Sequence, residues 1–156
     1  MDIGRDHFYV TLFSNASIDL YPDNTRAVFT THLAHPIDLR GTSSSELEVG
    51  LCEISYGGPS NELVTPNTRV DKTMVFVYCD LVAPQFVADQ NLRTLRIIHF
   101  PSVVGEHRFQ NVYYLPVEKR VFQDIIIQMR LMDGSTVPFE AGILPVKMVL
   151  HFRRVL

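Results

Sequence analysis

Apolar and polar positions alternate with a period of two along most of the chain, the spacing that sends successive side chains to opposite faces of a sheet. In the stretch 124–131, Ile125, Ile127, Met129 and Leu131 fall on one face and Asp124, Ile126, Gln128 and Arg130 on the other. The stretch 147–153 likewise sets Met148, Leu150 and Phe152 against Lys147, His151 and Arg153. Applied along the chain, the test predicts strands over 7–13, 26–33, 46–56, 74–80, 92–100, 109–115, 122–131 and 146–155. No segment carries a long apolar stripe at helical spacing. Ile125, Ile127, Met129, Leu150 and Phe152 are expected to form adjacent core positions.

Turn chemistry punctuates these runs, because Pro fixes φ, Gly supplies positive φ, and Asn or Asp bonds its own backbone. The clusters are Tyr21-Pro22-Asp23-Asn24-Thr25, Arg40-Gly41-Thr42-Ser43-Ser44-Ser45 and Tyr56-Gly57-Gly58-Pro59-Ser60-Asn61. Asp133-Gly134 between apolar flanks predicts a two-residue hairpin turn with positive φ at Gly134, setting Leu131 and Val137 on paired strands. Pro138 marks an edge or strand end. About eight strands, several joined by long connections, predict an all-β fold: an eight-stranded antiparallel jelly-roll sandwich. An immunoglobulin-like sandwich is the alternative, but the chain has no Trp and no Cys-Trp-Cys signature. With 156 residues, no internal repeat and no linker, positions 1–156 read as one domain.

Hydrophobic residues at 46% and charged residues at 20% lie near globular averages, which excludes disorder, collagen and coiled coil. A net charge of −3 without a basic run argues against a dedicated nucleic-acid binder. No apolar stretch approaches the roughly 20 residues that span a bilayer, and Met1-Asp2-Ile3-Gly4-Arg5-Asp6 lacks an apolar signal core, so neither membrane insertion nor secretion is expected. Cys52 and Cys79 sit in strand-like runs without metal spacing and read as buried thiols of a reducing compartment.

Little in the sequence carries chemistry. A Gly-x-Ser-x-Gly elbow is absent, and both cysteines are better explained by packing than as nucleophiles. His32 and His35 would converge on one ion only if the chain turned between them, which Pro36 permits; no third ligand is specified, so they read as surface histidines. The His-x-His of cupin-type jelly rolls does not occur. His99, His107 and His151 read as solvated. Gly57-Gly58-Pro59 leads into no helix and is a turn rather than a phosphate loop. The basic end His151-Phe152-Arg153-Arg154 offers at most contact with an anionic partner. No catalytic, cofactor-binding or metal-ligating residue is therefore assigned.

Several segments together resemble a known family. Phe8-Tyr9-Val10-Thr11-Leu12, Ser14-Asn15-Ala16-Ser17, Tyr21-Pro22-Asp23-Asn24-Thr25, Phe29-Thr30-Thr31 and Pro36-Ile37-Asp38-Leu39 are similar to the opening of the penton-like minor capsid proteins of Polinton (Maverick) elements and adintoviruses. The likeness continues through Glu48-Val49-Gly50-Leu51-Cys52-Glu53-Ile54-Ser55-Tyr56, Tyr78-Cys79-Asp80-Leu81-Val82, Val121-Phe122-Gln123-Asp124-Ile125 and Leu150-His151-Phe152-Arg153-Arg154. The region from Pro59 to Asn67 looks short for that family. The resemblance implies a structural protein, not an enzyme, that forms homopentamers at icosahedral vertices beside a double-jelly-roll major capsid protein. It implies a place in the virion, assembled in the host cytoplasm or nucleus, with no cofactor, membrane or specific nucleic-acid partner. The competing expectation is a carbohydrate- or receptor-binding sandwich, for which Tyr21, Tyr56, Tyr113 and Tyr114 are candidate contacts.

Overall fold

The computed structural model describes residues 7–40, 46–56, 74–99, 105–139 and 144–155. The turns expected at 41–45 and 57–61, and the short region 59–67, lie outside the described residues. Those described form eleven strands and no helix. In chain order they are β1 His7–Phe13, β2 Val28–Asp38, β3 Glu46–Tyr56, β4 Met74–Cys79, β5 Gln85–Val87, β6 Gln90–Leu92, β7 Thr94–His99, β8 Gly105–Arg108, β9 Leu115–Pro116, β10 Val121–Arg130 and β11 Lys147–Val155.

Two antiparallel sheets face each other. The first, here sheet A, runs β1-β11-β3-β8, with β9 pairing the other end of β3's outer edge; sheet B runs β2-β10-β4-β7. Counting only the eight principal strands, the orders are 1-8-3-6 and 2-7-4-5, so all neighbours but the consecutive pair 4 and 5 come from distant parts of the chain. This interleaving is the jelly roll. A separate two-stranded hairpin, β5–β6, lies between β4 and β7.

The expected inward positions are the core. Ile125, Ile127 and Met129 of β10, and Leu150 and Phe152 of β11, are fully buried in one cluster, though on facing sheets rather than neighbouring strands. Phe152 stacks on Phe8 of β1 at 4.9 Å and on Phe122 of β10 at 6.1 Å, tying the sheets together. Aromatic pairs at these separations add to what area burial alone supplies.

Register shifts explain where the alternation misleads. Leu51 pairs Leu150 while Glu53 pairs Val149, leaving Cys52 as an extra residue on β3. The inward phase therefore moves from Leu47, Val49 and Leu51 to Ile54 and Tyr56, and Cys52 is half-buried instead of lying in the core. Cys79 is fully buried, and desolvation pushes its thiol pKa to about 12. Both thiols are free. On β2 the ladder skips from Ile37 opposite Phe122 to His32 opposite Asp124, so 33–36 bulges and the strand continues to Asp38, beyond the expected end at 33.

Two further expectations need correction. Residues 109–114 are not a strand: β8 ends at Arg108 and the chain crosses the outer face of sheet A, where a Cβ on Gly50 would run into Val112 Cγ1 and lie 2.7 Å from the Tyr113 carbonyl oxygen. The absent side chain makes room for that crossing. Arg96 holds it, its guanidinium carbon 3.7 Å from the Phe109 ring and 4.4 Å from Tyr113, with Nη1 donating to the Asn111 carbonyl at 2.8 Å. The turn after β10 is longer than expected. Gly134 N–H donates to the Leu131 carbonyl (3.0 Å) and Leu131 N–H to Ser135 (2.8 Å), giving a three-residue loop with Gly134 at φ +87°. Positive φ is as expected, but Leu131 sits opposite Ser135, and Val137 N–H reaches Met129.

Candidate functional site

The outer faces of the two sheets are the places where side chains gather away from the core. On sheet A, β1, β11 and β3 line up His7, Tyr9, His151, Arg153 and Glu48 on one surface, and the 109–114 crossing adds Tyr114. His151 Nδ1 and the Tyr114 hydroxyl share a 2.7 Å hydrogen bond, and His151 Nε2 and His7 Nδ1 share one of 3.1 Å. Tyr9 stacks on the His151 ring at 4.4 Å. Burial, then the charges of His7 and Arg153, push the His151 pKa below its ordinary value, so it is held neutral rather than solvated as the sequence suggested. Arg153 donates to Glu48 Oε1 at 2.5 Å and lies 3.4 Å from the Tyr114 ring centre. That guanidinium already has a carboxylate partner and a ring contact within the chain, which weakens the reading of the basic end as an anion contact.

The other sequence candidates do not come together. His32 and His35 are exposed on the β2 bulge, and His32 Nδ1 bonds Asp124 Oδ1 at 2.8 Å, a contact that lowers the Asp124 pKa. His107 is half-buried beside Tyr56, 3.2 Å from its hydroxyl, and burial lowers its pKa. His99 is exposed. Among the described residues no three His, Cys, Asp or Glu side chains are grouped to hold a metal ion. The tyrosines proposed for ligand contact form no common platform. Tyr56 is buried, Tyr21 and Tyr114 are half-buried, and Tyr113 alone of the four is exposed.

Sheet B presents a concavity that the sequence did not reveal. Phe76 and Tyr78 of β4, their rings stacked at 6.4 Å, form its floor. Val87 and Leu92 of the β5–β6 hairpin wall one side and Met132 of the 131–135 loop the other, enclosing about 370 Å³ open to solvent. Ala88, at the hairpin's turn, takes φ +52°, a left-handed conformation uncommon outside glycine. The groove could not be read from spacing, because three-residue strands are too short for alternation to register.

Two four-stranded sheets in this interleaved order define a single jelly roll. No protein-family model and no curated protein matches the chain. Among solved structures it is similar in fold to the mavirus penton protein, known from a crystal structure of the selenomethionine-labelled form, with a TM-score of 0.52 over 96% of this chain and 99% of that one. Identity between the two is 9%, so the likeness is one of fold.

Proposed function

We propose that this chain is a structural minor capsid protein, a penton that closes into a homopentamer at the icosahedral vertices of a virion. The observation that carries the reading is the end-to-end correspondence in fold with the mavirus penton protein, 96% of one chain against 99% of the other. The segment-by-segment resemblance to Polinton and adintovirus pentons supports it independently. In this reading the partners are further copies of the chain and a double-jelly-roll major capsid protein, and function resides in surfaces rather than in a catalytic centre. Around a five-fold axis each subunit uses two different patches, one toward each neighbour. A stable junction of this kind buries more than about 1,000 Å² in total.

Native mass spectrometry at micromolar concentration tests the proposal. Five-fold mass is expected; a purely monomeric or trimeric population would count against it. The glycan-binding alternative is weakened by the scattering of its four tyrosines, and binding on a glycan array would revive it.

A further inference from the structure

The most exposed large apolar side chain among the described residues is Phe86, with 90% of its surface free. It pairs across the β5–β6 hairpin with Asn91, while Val87 pairs with Gln90, so by strand alternation the two pairs occupy opposite faces. Val87 and Gln90 line the sheet B groove. One hairpin thus carries an apolar knob on one side and the wall of an apolar groove on the other. Phe86 cannot fold into the groove of its own chain, because the strand bearing it is that groove's wall.

We propose that Phe86 of one copy seats in the groove of a second copy, between Val87 and Met132 and over the Phe76 and Tyr78 rings. The space of about 370 Å³ accommodates an aromatic ring, and a floor of two rings offers the stacked or edge-on contacts such a ring prefers. Knob and groove are different surfaces facing opposite ways, so the contact is heterologous and passes from copy to copy around an axis. An aromatic side chain buries about 150–250 Å², well short of the roughly 1,000 Å² of a stable interface. One knob therefore does not hold a pair of subunits by itself; it anchors a larger junction. The inference rests on the reading of the chain as a self-assembling capsid subunit and names one contact by which it assembles.

The test places the photo-crosslinker p-benzoylphenylalanine at position 86 in a mixture of isotopically light and heavy chains. Crosslinks from residue 86 of one isotope to 76–78 or 131–134 of the other are expected. Crosslinks of the assembled protein to other segments, or only within one copy, would overturn the contact. Phe86→Ser and Met132→Glu should each raise the concentration needed for assembly about tenfold or more, without lowering the melting temperature, since both side chains are exposed. The double variant should be no worse than the weaker single one, because both changes cut the same contact. Unaltered assembly in both variants sinks the knob-and-groove contact while leaving the capsid reading standing. A wild-type protein that stays monomeric at high micromolar concentration removes both.

Discussion

The edge strands β1 and β2 belong to different sheets, and the chain treats them in opposite ways. The edge of β2 is closed by the preceding loop. Asn24 acts as a surrogate strand, its Oδ1 accepting from Thr30 N–H at 2.9 Å and its Nδ2 donating to the Thr30 carbonyl at 2.8 Å. Ser17 Oγ accepts from His32 N–H at 2.9 Å, and Thr25 Oγ1 from Val28 N–H at 3.0 Å. Among the described residues, β1 has no such cover. Ser14 N–H donates to Val146, so ladder alternation turns the backbone of Leu12, Val10 and Phe8 toward β11 and that of Tyr9 and Thr11 away. No other described residue bonds that outward edge. An uncovered edge invites pairing with another chain, and the contrast shows that a cap costs this fold only three short polar side chains, yet among the described residues β1 goes without one.

The largest expected change comes from beneath the bare edge. Phe152→Ala removes the ring on which Phe8 and Phe122 stack and should destabilise the protein by about 3–5 kcal/mol. Hydrogen exchange should quicken in β1 more than in β2, whose cap is untouched; equal loss would erase the distinction between the edges. Gly50→Val drives a side chain into the Tyr113 carbonyl and should cost roughly 1–3 kcal/mol. Chemical denaturation would read the loss, and near-wild-type stability would show that the 109–114 crossing moves aside freely.

A smaller effect is expected from Asn24→Ala, about 1–2 kcal/mol for two lost hydrogen bonds. This variant makes β2 resemble β1, so exchange of the Thr30 amide should accelerate and a new concentration-dependent association should appear in sedimentation. The smallest effect is one of pH. His151 and His107 are held neutral in the fold, so the unfolded chain takes up protons the native state refuses, and stability falls as pH drops through their ordinary value of 6.5. The lowered carboxylates, Asp38, Asp124 and Glu118, add their own loss only on further acidification through the carboxylate range, around pH 4. Thermal melts at pH 7.5 and 5.5 should differ, and replacing both histidines with Gln should flatten the difference.

Much of the fold was legible because a sandwich writes its core as alternation, and β10 and β11 follow that rule without interruption over the residues named for them. What escaped was of two kinds. Bulges at 33–36 and Cys52 change phase within a strand, and no local pattern announces which residue is extra. The 109–114 segment looks apolar enough for a strand, but its fate depends on Arg96 and on the missing side chain of Gly50, both remote in sequence. The outer-face clusters are remote in the same sense: His151 meets Tyr114 and His7 across separations of 37 and 144 residues. Spacing along the chain carries no trace of such meetings.

The extra residue on β3 also bears on how this chain can change length. Within 47–56, Leu47, Val49 and Leu51 point inward before Cys52, and Ile54 and Tyr56 after it. Deleting Cys52 would leave a regular alternation with every one of these side chains still facing the core, at the cost of the Phe109 hydrogen bond to its carbonyl. Deleting Glu48 or Gly50 would bring two inward residues together and turn one half of the strand over. Position 52 is thus where this buried strand can lose a residue without being rewritten, a hinge for insertion and deletion in the interior of the protein rather than in its loops.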